Sequence, residues 1–132
     1  MTTQTALRED TFRETPDGFT LLASRCHHCG HVSFPPATLC VACRAEALKP
    51  IDLGGRAELL CSTTVHMPSE HFAAGYTVGY VTMPGGQRIF TPLAPADDTP
   101  LTPGMPLKLE IAAMWQDDGT DIVAHRFVPD PA

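Results

Sequence analysis

Four of the five cysteines in this 132-residue chain stand in two pairs, Cys26-x-x-Cys29 and Cys40-x-x-Cys43, with ten residues between them. Thiolates at this spacing are the ligand set of a tetrahedral zinc ion: each pair forms a tight knuckle whose two sulfurs face one metal while backbone N–H groups donate to them. Gly30, directly after the second ligand, supplies the permissive φ that a knuckle turn needs. Four protein ligands close the shell and leave no position for water or substrate. The ion is therefore expected to hold the fold and to catalyse nothing. Two disulfides are the alternative, but the opening Met1–Asp10 stretch lacks an apolar run, and paired Cys-x-x-Cys in a non-secreted chain reads as metal or redox chemistry. His27, His28 and His31 share the loop and could compete as ligands. With four thiolates available they read as surface residues.

Little else in the chain has the makings of a catalytic set. Cys61 is the cysteine left over, and acyl-transfer chemistry of the two-cysteine kind would need a second cysteine and an aligned histidine base. His66, five positions along the same strand, falls on the opposite face, so Cys61 reads as a small buried core residue. His66 and His71 bracket a loop at one mouth of the strand region and read as solvated histidines, with contact to a ligand or partner as the functional alternative. Phe72, in the same loop, is the better candidate for an interface anchor. Trp115 reads as a cap on a barrel core rather than a stacking platform. The acidic residues show no dyad with acid/base spacing.

The elements that must position the cysteines are strands. A run from Gly18 to Arg25 enters the first knuckle, and His31–Phe34 leaves it as the second strand of a zinc ribbon. Phe34-Pro35-Pro36 stops the ladder because prolines cannot donate to it. Beyond Pro50, five strands follow. Arg56–His66 alternates, with Ala57, Leu59, Cys61, Thr63 and Val65 expected inside; Tyr76–Met83 and Gln87–Leu93 flank a Pro84-Gly85-Gly86 turn; Pro106–Met114 and Ile122–Val128 flank Asp117-Asp118-Gly119. Five short strands with two longer loops match a small, partly open barrel of the OB type. Residues 1–17 are polar, and a short helix is expected from about Thr5 to Glu14, ended by Pro16-Asp17-Gly18. The expected organisation is thus mainly β: an N-terminal helical segment over 1–17, a rubredoxin-like ribbon over 18–49 and a five-stranded barrel over 50–132.

Composition narrows the function classes. The formal net charge is −6 with cysteines neutral; four thiolates and one divalent ion lower it by two, to −8. The nine basic residues are scattered, so no positive stripe forms for a phosphate backbone. Arg25, Arg44, Lys49 and Arg56 could make a local patch suited to one phosphorylated small molecule. No stretch is long enough to span a bilayer, and a soluble, cytoplasmic protein is expected.

Cys26-x-x-Cys29-Gly30, Phe34-Pro35-Pro36, Cys40-x-x-Cys43, the strand Gly54-Gly55-Arg56-Ala-Glu-Leu-Leu-Cys-Ser-Thr-Thr-Val-His66, Tyr76-Thr-Val-Gly-Tyr-Val, Gly104-Met105-Pro106-Leu107 and Arg126-Phe127-Val128-Pro129 together resemble the Zn-ribbon/OB-fold family associated with acyl-CoA metabolism. The likeness spans about residues 18–129. Gly54-Gly55 stands where the family more often has Ser-Gly, Cys61-Ser62-Thr63 stands where an aromatic is frequent, and the N-terminal stretch lacks the Trp- or Phe-rich helix of many relatives. The resemblance implies a small subunit complexed with a thiolase-superfamily enzyme, such as benzoylsuccinyl-CoA thiolase, steroid side-chain, archaeal acetoacetyl-CoA thiolase or phloroglucinol acetyltransferase systems. It would help that partner bind or process a coenzyme A thioester. In that role Phe34, Pro35 and Phe72 are candidate partner contacts, and Arg25, Arg44, Lys49, Arg56 and His66 candidate contacts to coenzyme A.

The expected function is a non-catalytic, zinc-containing accessory subunit of a thiolase-type acyltransferase, forming a hetero-oligomer that takes an acyl-CoA. The alternatives are a free-standing nucleic-acid-binding module, opposed by acidic charge, and an independent enzyme, opposed by the absence of a nucleophile, base and orienter set.

Overall fold

Ten strands account for the regular structure of the computed structural model, which describes residues 3–7, 11–95 and 100–130. They are β1 (Thr3–Ala6), β2 (Phe12–Thr15), β3 (Gly18–Cys26), β4 (Val32–Ser33), β5 (Leu48–Gly54), β6 (Arg56–Val65), β7 (Tyr76–Thr82), β8 (Arg88–Leu93), β9 (Pro106–Asp117) and β10 (Thr120–Pro129). The chain divides into two units, residues 9–55 and residues 1–8 with 56–132.

In the first unit β3 is the central strand, pairing antiparallel with β2 and β4 on one path and with β5 off it. Leu21, Ala23 and Cys26 are buried along β3, with Thr20 and Ser24 buried beside them. The buried hydroxyls are used: Thr20 Oγ1 accepts from the Gly54 N–H at 2.8 Å, and Ser24 Oγ accepts from the Ala37 N–H at 3.1 Å. Arg13 on β2 and Asp52 on β5 form an ion pair that spans β3, and the guanidinium holds the Asp52 carboxyl below the usual carboxylate range.

In the second unit β6, β7, β8, β10 and β9 form a closed circuit. All the pairings are antiparallel except β8 with β10, which meet parallel at Leu93 and Phe127. A five-stranded circuit with one parallel contact, between its third and fifth strands, is the OB arrangement. Leu59, Val81, Met83, Ile89, Leu93, Leu107 and Phe127 fill its interior. The β9–β10 turn uses Asp118 at φ 50° and Gly119 at φ 79°, two consecutive left-handed residues that match the twist of the flanking strands.

The helix expected at Thr5–Glu14 is not found. Residues 8–10 lie outside the described residues, and on either side of them the chain is strand: β1 pairs parallel with β10, and β2 pairs antiparallel with β3 through the turn at Pro16-Asp17. The physical reason is the density of β-branched threonines (Thr3, Thr5, Thr11, Thr15), together with open edges on β10 and β3 that offer ladder hydrogen bonds to segments too short to hold a helix. Among the described residues no helix is long and apolar enough to cross a membrane.

The alternation read along β6 also fails halfway. Leu59 pairs with Val81 but Cys61 pairs with Tyr80, so Leu60 is an extra residue, a β-bulge. Leu59 is buried as expected, whereas Cys61 and Thr63 are exposed. The bulge turns the rest of the strand over, and Cys61 is therefore a surface thiol rather than a core residue.

Candidate functional site

β3 carries Cys26 to the first knuckle at its end. There the Cys26 N–H donates to the His31 carbonyl at 2.9 Å and the Gly30 N–H donates back to the Cys26 carbonyl at 2.8 Å, which folds the chain into β4. The second knuckle repeats the pattern, with the Cys40 N–H donating to the Ala45 carbonyl at 3.0 Å and the Arg44 N–H to the Cys40 carbonyl at 2.8 Å. The Cys26 Sγ accepts from the N–H groups of Cys29 and His28, and the Cys40 Sγ from those of Cys43 and Ala42. The second cysteine of each pair accepts one, from His31 and Ala45 respectively.

The four sulfurs lie within 4.8 Å of one another, with Cys26 to Cys43 and Cys29 to Cys40 each 3.6 Å apart. A zinc ion with bonds of about 2.3 Å in a tetrahedron sets its sulfurs about 3.8 Å apart. A disulfide would need about 2.05 Å. The donor set and its spacing thus fit zinc, and all four cysteines are free thiols. Their acidities divide by position. Backbone donors, chiefly the Cys43 N–H, pull Cys40 down to about 6, and those of Cys29 and His28 lower Cys26. The Ala45 N–H also pulls on Cys43, but burial and the three neighbouring sulfurs outweigh it and push that thiol up to about 12; Cys29 is raised by the same opposition. The leading cysteine of each knuckle is the better-prepared thiolate.

Gly30 and Arg44 occupy the same place in the two knuckles, at φ 82° and 66°. An L-residue in the left-handed region costs about 1–2 kcal/mol. Arg44→Gly is accordingly expected to leave the zinc-loaded ribbon as stable or up to about 1 kcal/mol more stable, and Gly30→Ala to destabilise it by about 1 kcal/mol. Chemical denaturation of the zinc-loaded protein measures both.

The other predicted site residues fall into separate places. Arg25 and Lys49 are cross-strand partners on β3 and β5 and, with His27, line a cleft of about 450 Å³ beside the first knuckle. Arg44 does not line it, and Arg56 belongs to the barrel unit, where it lies 3.6 Å from Asp130. Of the four, Arg25 and Lys49 are the two that face each other directly. Phe34 and Pro35, the candidate partner contacts, are half-buried together with Pro36, and the Phe34–Pro35 peptide is cis. Phe72 is also half-buried, packed against Tyr76 at 5.2 Å and edge-on to Trp115 at 6.0 Å. Trp115 is half-buried under His71, whose ring stacks on it at 3.9 Å. His66 is exposed. The sequence reading passed over Tyr80 and Phe90, which form an exposed aromatic pair on neighbouring strands; the signal available was the alternation that buries Val81 and Ile89 and so turns their neighbours outward. It also passed over Val41, 77% exposed at the tip of the second knuckle.

Comparison with known proteins gives a consistent picture. Residues 19–49 match the family model described as the ChsH2 rubredoxin-like zinc ribbon domain, and residues 51–112 the one described as the ChsH2 C-terminal OB-fold domain. The chain is 22% identical over 120 residues to a DUF35 domain-containing scaffold protein of Methanothermobacter thermautotrophicus, covering 89% of this chain and 90% of the relative. It is 26% identical over 110 residues to benzoylsuccinyl-CoA thiolase subunit BbsA of Thauera aromatica, covering 78% and 72%. Its fold matches a chain of the solved Ltp2-ChsH2(DUF35) aldolase with a TM-score of 0.67 at 23% identity, over 83% of this chain and 84% of that one.

Proposed function

Since the chain belongs to the ChsH2 family of zinc-ribbon and OB-fold proteins, we propose that it is a zinc-stapled, non-catalytic subunit that complexes with a thiolase-superfamily chain and supports its acyl-CoA chemistry. The observation that carries this reading is the relationship, over 78% of the chain, to a protein named as a subunit of benzoylsuccinyl-CoA thiolase. The chemistry of the chain agrees. Its metal site has four protein sulfurs and no open position, and Cys61 has no hydrogen-bonded base among the described residues to activate it. Acyl transfer then falls to the partner. Within the complex, Arg25 and Lys49 are the residues we assign to the phosphates of the coenzyme A thioester, because two cations directly opposite across a ladder repel each other and an anion between them relieves that cost. Localisation in the cytoplasm and a hetero-oligomeric state belong to the same proposal. Co-expression with the thiolase-superfamily chains of the source cell tests it: a stable complex carrying this chain is expected on size exclusion, and its absence for every such chain defeats the proposal.

A second reading draws on Tyr80 and Phe90, since the second and third strands of an OB barrel are where many such folds stack single-stranded nucleic acid. Charge opposes it. A chain at −6 before metal binding should hold a fluorescent single-stranded oligonucleotide only weakly even at low salt. Anisotropy titration checks this, and sub-micromolar, steeply salt-dependent affinity would favour the second reading.

A further inference from the structure

The outer face of β6–β7–β8 can be written down row by row from the register. At one end Glu58, Thr82 and Arg88 stand side by side; the next outward row is Cys61, Tyr80 and Phe90; then come Thr63, Val78 and Pro92; and last Val65 and Tyr76. Between these rows lie the inward ones, Leu59–Val81–Ile89 and Ser62–Gly79–Thr91, whose β7 and β8 members are buried. Charge is confined to the first row, where Glu58 and Arg88 offset each other. The remaining rows contain no ionisable side chain except the Cys61 thiol and the tyrosines. Within them Tyr80 is 44% and Phe90 57% exposed, their rings in edge contact at 5.4 Å, and Leu60, in the bulge, is 40% exposed. The face continues from Val78 and Pro92 through Tyr76 to Phe72, which line a cleft of about 280 Å³ together with Arg126, itself paired with Glu110 at 2.8 Å.

Large aromatics held in water, with charge confined to the row at one end of their face, have the make-up of an interface core rather than of a solvated surface. We infer that the Tyr80–Phe90 face of β6–β7–β8 is the surface on which the catalytic subunit docks, through an uncharged apolar patch of its own. The inference rests on the accessory-subunit reading and adds to it the place of contact. Charge chooses among occupants. A phosphate backbone needs several cations beside the stacking rings, and the rows around Tyr80 and Phe90 offer one, Arg88, which Glu58 offsets in its own row. A second copy of this chain would bring one net −8 body against another, which self-repulsion disfavours. A neutral, apolar protein surface meets neither objection.

The test uses the full zinc-loaded chain and the thiolase-superfamily chain with which it co-purifies. Tyr80→Ser and Phe90→Ser, both on exposed side chains, are each expected to weaken the complex by about tenfold in calorimetry or surface plasmon resonance, with zinc content and circular dichroism unchanged. Phe90→Tyr should retain affinity, which separates loss of the contact from loss of the fold. Equal affinity of folded Tyr80→Ser and Phe90→Ser with an intact wild-type complex overturns the docking face alone. No complex from the wild-type chain overturns both the face and the accessory-subunit reading. Sedimentation should show a monomer, and a dimer abolished by the same variants would assign the face to self-association. Tight binding of a fluorescent oligothymidine probe, lost in the same variants, would assign it to nucleic acid.

Discussion

Cys40→Ser is expected to unfold residues 9–55 and to abolish stoichiometric zinc. Cys40 is fully buried, 3.6 Å from Cys29, and a serine hydroxyl cannot replace its thiolate in the shell. Without the metal the unit has little to hold it: among the described residues its buried apolar side chains are Leu21 and Ala23 beside the cysteines themselves, on strands of which β2 and β4 have four and two residues. Structural zinc supplies an apparent 10–16 kcal/mol in small zinc modules, more than such a core can replace. Wild-type protein should therefore contain one zinc per chain by elemental analysis, and Cys40→Ser none. In the variant, or in wild type stripped by a strong chelator, amide signals of residues 9–55 should collapse to random-coil positions. Signals of the barrel, whose core of Leu59, Val81, Leu107 and Phe127 contains no metal ligand, should persist. A folded ribbon without metal would contradict the account.

Gly79→Ala should damage the barrel nearly as severely. A Cβ at this position would sit 2.2 Å from the Cys61 carbonyl oxygen, 2.8 Å from Leu93 Cδ1 and 3.0 Å from Ser62 Cα. The first and third of those atoms are backbone and cannot swing away. The requirement for glycine here is close approach of β6 beside its bulge, with no unusual φ involved. Relief would require opening the β6–β7 ladder at the row that seals the core, at a cost of about 3 kcal/mol or more. Urea denaturation followed by the barrel's own signals measures it, and a loss below about 1 kcal/mol would show that the strands are less closely apposed than described.

How much of this was legible in the sequence depended on whether the signal was local. The two Cys-x-x-Cys pairs carry their chemistry in their spacing, and the five barrel strands are bounded by turn residues such as Pro84-Gly85-Gly86 and Asp118-Gly119 whose dihedral needs are built into them. Three kinds of feature were not local. β1 is four residues that gain a partner only because Thr120–Val123, more than a hundred positions away, presents an edge; read alone, the segment was assigned to a helix. The bulge at Leu60 is fixed by how β6 closes against both β7 and β9, and no residue at the position announces it, so Cys61 and Thr63 were placed inside. The left-handed conformation at Arg44 is imposed by the knuckle, while the sequence signal for that geometry is glycine, present in only one of the two. For the candidate site the consequence is uneven. The metal ligands could be read from spacing, whereas which basic residues face each other, and which aromatics face water, required the register of the sheet.

The most direct test of the central claim is turnover. The thiolase-superfamily partner is expressed with and without this chain, and thiolysis of its acyl-CoA is followed in the partner alone, in this chain alone and in the reconstituted complex. The account predicts activity in the complex, strong impairment of the partner alone and none in this chain. Full activity of the partner by itself, or turnover by this chain alone, would contradict it.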